Sequence, residues 1–596
     1  MTAQTRQRVS LLDVGKGLAG LAPDLALLAK EGPGLLLRRP SSANSLGLVF
    51  QKAAGRHPER VFLKGEGTDG PRTITYGAAN ETVNRYAAVL ESHGVTRGDV
   101  VGLMAHNGIE NILIMLATVK LGAVAGLLNY NQRSDVLAHS LGILDARVVV
   151  IEDDGQEALA TAGEIADAQT VLTFSELAEQ AKTASAANPL ATAKTVGSER
   201  AFYIFTSGTT GMPKASVMSH YRWLKSYSGL GALGVRLKSD DTLYCPLPLY
   251  HNNAVTVALS SVLVAGASMA IAPKFSASRF WDECITYDAT AFVYIGELCR
   301  YLLAQPAKPV DRQHAVRVIV GNGLRADIWA EFQERFGIER IAEFYGASEC
   351  NIAFINAFNL SQTAGTCPLP YRVVAYDPET GKAARNEKGR LTKVKTGETG
   401  LLLAKVTDRA PFDGYTDKAA SEAKLLRDGF KDGDCWFDTG DLVRNQGLNH
   451  VAFVDRLGDT FRWKGENVAT TQVEAAFGHL DDIEDCTVYG VPVPGADGKA
   501  GMAAVVLREG ADFDGAALAK HLLDTLPTYA VPLFVRTVFS LEHTSTFKSR
   551  KVELRDESFD HARDGRIYVL KDSTEGYVPF YEGYAAEVAA AKAPRI

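Results

Sequence analysis

Apolar and polar positions alternate along this chain in two rhythms. Short apolar runs such as "DVVGLMA" (99–105), "ARVVVIE" (146–152), "DTLYCPL" (241–247) and "AVRVIVG" (315–321) predict buried strands. Between them, "ITYGAANETVNRYAAVLESHG" (74–94) and "RADIWAEFQERFG" (325–337) space apolar residues three and four apart and close on a glycine, which predicts helices. The alternation is that of an α/β protein. It changes near "VAFVDRLGDTFRWKGENV" (451–468), after which "TTQVEAAFGHL", "DCTVYGVPV", "GMAAVVL", "GAALAKHLLDTLP" and "LFVRTVFSL" predict a smaller α+β unit. The expected division is a helical N-terminal segment (1–44), a large multi-subdomain domain of β-sheets flanked by helices (45–457) and a small C-terminal domain (458–596).

Two apolar stretches bear on membranes. "NILIMLATVKLGAVAGLLNY" (111–130) is the most apolar run, but Lys120 and several glycines interrupt it, so a buried helix followed by a strand is expected instead of a span. Leu11, Val14, Leu18, Leu21, Leu25 and Leu28 form one stripe at steps of three and four. That stripe is expected to pack on its own domain, because a membrane-surface helix would carry more cations on its polar face than Lys16 and Lys30. The first twenty residues lack the apolar core of a secretory signal. The expected location is cytoplasmic, with the stripe as the feature that would hold the protein at the inner face of a membrane. "SELAEQAKTASAANPLATAKTVGSER" (175–200) is rich in Ala, Ser and Thr and predicts a surface connection.

Length and charge narrow the function. At 596 residues the chain exceeds one core, and its net charge of −7 argues against a nucleic-acid partner, whose footprint would be basic. The seven cysteines (Cys245, Cys284, Cys299, Cys350, Cys367, Cys435 and Cys486) form no CxxC pair, and the histidines no ligand cluster, so reduced thiols and no His/Cys metal site are expected.

The chemistry concentrates in "TSGTTGMPK" (206–214), which follows an apolar strand. Gly208 and Gly211 let the backbone turn its N–H groups inward as an anion nest does. Thr206, Ser207, Thr209 and Thr210 add hydroxyls, and Lys214 adds a charge. The spacing G-x-x-G-x-x-K is not the Walker pattern. A rival lies at "VIVGNGLRADIW" (318–329), where Gly321, Gly323 and Ala326 fit G-x-G-x-x-A and Glu343 falls about twenty residues later, as a dinucleotide fingerprint expects. It lies deep inside the domain and opens no βαβ unit, so an NAD-linked oxidoreductase is the lesser reading.

Seven motifs in order resemble the adenylate-forming enzymes, the superfamily of acyl-CoA synthetases, luciferases and peptide-synthetase adenylation domains. They are "FTSGTTGMPK" (205–214), "PLPLYHNN" (246–253), "GNGLRADIW" (321–329), "EFYGASE" (343–349), "WFDTGDL" (436–442), "DRLGDTFRWKGENV" (455–468) and "TSTFKSRK" (544–551). Within that superfamily the last two resemble the fatty-acid transport protein and very-long-chain acyl-CoA synthetase branch, and most of all its actinobacterial FadD-type members. The resemblance implies an AMP-binding domain over 45–457, a mobile C-terminal domain and a two-step ligase. ATP and a fatty acid give acyl-AMP and pyrophosphate; CoA then displaces AMP.

The same resemblance assigns residues. Thr206, Ser207, Gly208, Thr209, Thr210, Gly211 and Lys214 would hold phosphates. Glu349, with Thr209, would bind Mg²⁺. Gly321, Asn322, Gly323, Tyr345, Gly346, Ala347 and Ser348 would receive the adenine and α-phosphate, and Asp441 and Arg456 the ribose. Lys548 is implied as the catalytic lysine of adenylation, acting with Glu349 and Thr206, and Lys551 as the basic position after it. Gly458 falls at the hinge, and Lys464, Gly465 and Glu466 along the CoA path. His251 and Asn252 begin the acyl pocket, with Tyr294 and Gly296 in its apolar lining. Two other functions stay open at this level: a fatty acyl-AMP ligase that feeds a carrier protein, and a non-enzymatic fatty-acid transporter. Chain length and oligomeric state are not legible.

Overall fold

A computed structural model of the chain describes residues 6–66, 71–167, 169–206, 212–377, 380–464, 466–478, 480–496, 498–542, 551–559 and 566–595. Its architecture is α/β over the large domain and α+β over the small one.

Two sheets organise the large domain. In the first, Arg340–Tyr345, Val318–Asn322, Ala291–Ile295, Thr242–Cys245, Ser268–Ile271 and Val61–Gly65 lie side by side and parallel. Beyond Tyr345 the same sheet turns antiparallel and runs through Phe354–Ile355 to the long pair Cys435–Gly447 and His450–Arg456. Ligands in open α/β sheets bind beyond the carboxyl ends of parallel strands, and here Asn322, Ile295 and Tyr345 are such ends. The second sheet carries Val100–Met104, Val124–Leu128 and Arg200–Thr206 in parallel and closes on an antiparallel edge strand, Lys214–Ser219.

The apolar run at 111–130 forms the buried helix Ile109–Lys120 and strand Val124–Leu128, as its interruptions predict. Lys120 is fully enclosed, and its ammonium donates to the side-chain oxygens of Asn80, Asn84 and Asn188 at 2.6–2.8 Å. Three donors meet three acceptors, so the buried cation is satisfied without a carboxylate. The stretch 175–200 is largely exposed, as expected of a surface connection, but it is also tied to the core. The stretch supplies Asn188 to that cage and buries Thr192 and Thr195, because the lysine must find its acceptors on a neighbouring segment.

The C-terminal domain has its own core, from Phe461 to Ala593, around the sheet that pairs Ile483–Pro492, Lys499–Leu507 and Phe534–Val538. The strands Ile567–Asp572 and Gly576–Pro579 complete that sheet, although no alternation in the sequence announced them.

Candidate active site

The phosphate loop joins two antiparallel strands. Arg200–Thr206 enters it, Lys214–Ser219 leaves it, and Thr206 lies opposite Lys214 in the ladder. A loop between two antiparallel strands differs from the strand-to-helix turn of a Walker site, as the spacing implied. Ser207, Gly208, Thr209, Thr210 and Gly211 lie outside the described residues; Lys214 is exposed at the exit. His139 lies 3.0 Å from the carbonyl of Pro213 and ties the base of the loop to the helix Ser134–Leu144.

A third segment joins this edge. Ser216 bridges to Tyr415, and the Val217 N–H donates to the Gly414 carbonyl at 3.0 Å. Tyr415 is thereby set beside Glu349, to whose carboxylate its hydroxyl hydrogen-bonds; burial and then that carboxylate push the phenol pKa up. Arg222 fixes the same corner from below. Its guanidinium donates to the carbonyls of Val217 (2.8 Å), Ser348 (2.7 Å) and Cys350 (2.7 Å), so one side chain locks the Glu349 loop to the strand leaving the phosphate loop. Sequence reasoning missed both Arg222 and Tyr415, which lie outside the seven motifs.

The Gly321–Gly323 turn shows why glycines stand there. A Cβ on Gly321 would come 2.2 Å from the Tyr294 carbonyl oxygen, and one on Gly296 would come 1.8 Å from that of Gly323, whose φ is +85°. Glu343 holds the turn from beneath. Its buried carboxylate accepts from Gly323 N at 2.6 Å and pairs with the Tyr294 hydroxyl. A Glu343 committed in this way offers no carboxylate to a ribose, which removes the basis of the dinucleotide reading. Tyr294, expected along the acyl pocket, is fully enclosed and spends its hydroxyl on Glu343. Gly296 is where two loop backbones meet. Asn322 is held by Asn253, which donates to its side-chain oxygen at 2.8 Å.

Burial pushes the Glu343 pKa up to about 8. The folded state then keeps a proton that the unfolded chain releases at its ordinary value near 4.5, so stability falls as pH rises between about 4.5 and 8. Glu343→Gln, which keeps the shape without the charge, is expected to flatten that slope. Urea midpoints at about pH 5 and about pH 9 test it; an unchanged slope would remove Glu343 as its source.

Beside this turn, Tyr345 donates its hydroxyl to Asp441 at 2.5 Å, and its ring lies against Phe453 at 6.3 Å between centroids and 22° between planes. Asp441 faces Arg456 across the antiparallel pair, with 3.9 Å between Oδ1 and Nε. Asp441 is nearly buried and Arg456 is exposed, so an acceptor and a donor stand together at one rim. Gly346, Ala347, Ser348 and Glu349 continue from Tyr345 as a half-buried loop.

His251 and Asn252 lie at the start of the helical turn Asn253–Ala258, which is wound as a π-helix, as is Tyr227–Val235 next to it. Such windings are uncommon and gather at functional sites. The His251 ring packs on Tyr250 at 4.5 Å, Tyr250 on Tyr130 and Tyr130 on His106.

From the C-terminal domain, the hairpin Phe461–Trp463 and Glu466–Val468 presents Lys464 and Glu466 exposed, Lys464 with φ +50°. Gly465 and Lys548 lie outside the described residues. Lys551 is tied down within its own domain, donating to Glu474 at 2.9 Å and Thr470 at 3.0 Å. Gly458 sits in an exposed turn where a Cβ would meet nothing within 4 Å and φ is not left-handed. The domains also touch through Arg300, which pairs with Asp485 at 2.9 Å.

The family model for AMP-binding enzymes matches residues 50–397, and that for the AMP-binding enzyme C-terminal domain matches 472–548. The chain belongs to the AMP-binding enzymes. It is 56% identical to the medium/long-chain-fatty-acid–CoA ligase FadD6 of Mycobacterium tuberculosis, with 98% of each chain covered. It is 38% identical to long-chain fatty acid transport protein 2 of Rattus norvegicus, covering 94% of this chain and 92% of that one. ATP-bound MatB from Rhodopseudomonas palustris superposes with a TM-score of 0.73 at 24% identity, over 86% of this chain and 98% of that one, and shares the fold. The AMP-binding match begins at residue 50, near the start expected for the large domain, and takes in both the phosphate hairpin and the Tyr345–Glu349 loop.

Proposed function

We propose that the protein is an ATP-dependent fatty acid–CoA ligase for long-chain or very-long-chain acids. The observation that carries this reading is the convergence of the phosphate hairpin, Glu349 and the Tyr345–Asp441–Arg456 cluster at the carboxyl ends of the parallel strands. The likeness to a fatty-acid–CoA ligase over nearly the whole chain supports the substrate class.

The reaction joins two anions, so the site must first hold negative charge. In this reading Lys214 and the hairpin backbone take the β- and γ-phosphates. Asp441 accepts from a ribose hydroxyl while Arg456 donates to the other. The Tyr345 ring and the Gly321–Gly323 backbone receive the adenine. The fatty carboxylate approaches past His251 and attacks the α-phosphorus, releasing pyrophosphate. CoA thiolate then attacks the acyl carbon, and AMP leaves.

Among the described residues no three acidic, His or Cys side chains gather as a metal cage. Mg²⁺ needs none here, since it is usually held by one or two carboxylates together with substrate phosphates and water. The half-exposed Glu349 carboxylate is a hard oxygen donor of that kind. Mg²⁺ bound there would offset phosphate charge. No described helix is long and apolar enough to cross a membrane. We place the protein in the cytoplasm, at the membrane's inner face when it takes up its substrate.

A panel of fatty acids from medium to very long chain, assayed for pyrophosphate release and CoA thioester, tests the reading. Pyrophosphate without thioester, restored by an acyl carrier protein, would favour the acyl-AMP ligase alternative. Fatty-acid binding without ATP turnover would favour the transporter.

Gly458 is the proposed hinge. Neither space nor φ demands glycine in this conformation, so the demand belongs to another one. Gly458→Val fits the observed turn but pays about 1–2 kcal/mol in left-handed backbone. Acyl transfer to CoA is expected to slow by roughly 5–30-fold while acyl-AMP forms at the normal rate. Equal slowing of both half-reactions would remove the hinge assignment.

A further inference from the structure

The leucine stripe packs on its own domain only in part: Leu21 is buried and Val14 and Leu28 are half-buried, but Leu11, Leu18 and Leu25 are exposed. Helix Leu11–Ala19 buries Gly17, on which a Cβ would strike Phe358, and leaves Leu11 78% and Leu12 68% exposed, with Leu18 more than half exposed. On a helical wheel Leu11 and Leu18 nearly superpose and Gly17 lies roughly 100–120° away, so these leucines are turned off the face that meets the protein. Helices Leu25–Glu31 and Gly34–Leu37 bury none of their residues, and Leu25, Leu36 and Leu37 are exposed in turn. Six leucines in 27 residues thus face outward from helices that are firmly anchored. Asp24 pairs with buried Arg236 at 2.9 Å, and Lys225 donates to the Leu35 carbonyl at 2.6 Å.

We propose that residues 11–37 dock the protein on an anionic lipid surface. Charge complementarity selects this occupant. Residues 1–44 carry six Lys/Arg against three Asp/Glu in a chain whose net charge is −7. All three acids are internally paired: Asp13 with Arg6, Asp24 with Arg236, and Glu31 with Arg38. Lys16 and Arg39 stand exposed among the leucines. A shallow groove lined by Pro33, Leu37, Arg38, Arg39, Ser41 and Ser42 combines apolar wall, guanidinium and hydroxyl, the chemistry of a lipid headgroup and its glycerol. Buried leucines supply the affinity, and the surrounding cations the preference for anionic lipid.

The location suits the chemistry, a point that rests on the ligase reading. The docked helices lean on the π-helix Tyr227–Val235, which in turn packs against Asn253–Ala258, the turn that follows His251. A fatty acid dissolved in the bilayer would therefore lie one helical layer from the proposed acyl site.

Co-sedimentation of the full chain with phosphatidylcholine vesicles, with and without phosphatidylglycerol, tests the surface. Wild type is expected to bind the anionic vesicles more tightly. The variant Leu11→Glu/Leu18→Glu/Leu37→Glu should bind at least about tenfold more weakly, with an unchanged thermal midpoint, because these side chains touch little of the fold. Lys16→Glu/Arg39→Glu should lose the preference for phosphatidylglycerol. Absence of wild-type binding, or equal binding by the leucine variant, overturns the proposal. So does a wild-type dimer in sedimentation velocity that the leucine variant splits, since a second copy would then be the occupant. Vesicle binding by a chain that makes no acyl-CoA would support the docking surface and sink only the ligase reading.

Discussion

Alanine in place of Lys548 is expected to slow acyl-adenylate formation by about 10²-fold or more, the scale of removing one preorganised donor from a transition state. The carboxylate and α-phosphate must share negative charge as they join, and a lysine brought in by the C-terminal domain would meet both. Its neighbour in the motif is not available for that task. Lys551 is nearly buried between Glu474 and Thr470, with Asp455 and Asp459 adding charge around it. Lys551→Ala should therefore cost stability, roughly 1–3 kcal/mol for a partner left unpaired, and alter adenylation little. Pyrophosphate release measures the first half-reaction, and thioester formation from supplied acyl-AMP measures the second, which Lys548→Ala should largely spare. If Lys551→Ala produced the adenylation defect with an unchanged melting temperature, the assignment would move to it.

Glu349→Ala is expected to reduce adenylation by a comparable factor, about 10²-fold, and to raise the Mg²⁺ concentration needed for half-maximal rate. The backbone around Glu349 should stay in place, because Arg222 holds the Ser348 and Cys350 carbonyls on either side independently of the glutamate. A melting temperature close to wild type is thus part of the expectation. Glu349→Gln separates charge from shape, since it keeps an acceptor for the Tyr415 hydroxyl. It should be nearly as slow as alanine. Near-normal activity of Glu349→Gln at limiting Mg²⁺ would show that the carboxylate holds no metal.

Much of this protein was legible along the chain. The period of the apolar residues placed the parallel strands Val100–Met104, Val148–Ile151, Thr242–Cys245 and Val318–Asn322, the buried helix Ile109–Lys120 and the first strands of the C-terminal domain, because burial on one or both faces leaves a local record. The glycines at 321 and 323 were legible too, since only close backbone approach or positive φ calls for them there.

What closes the site was not legible, because its partners are far apart in sequence. Arg222 reaches a carbonyl 126 residues away and Tyr345 a carboxylate 96 residues away, and no local pattern records a contact at that distance. Glu343 occupied a position where spacing suggested a ribose ligand; the tertiary structure turns it inward onto Gly323. The leucine stripe marks the limit most plainly. Periodicity predicted one stripe through Leu11, Leu18 and Leu25, which the fold divides between the helices Leu11–Ala19 and Leu25–Glu31. Only the folded chain decided that Gly17 and Leu21, not those leucines, meet the protein, because a helical repeat specifies an apolar side and is silent on what covers it.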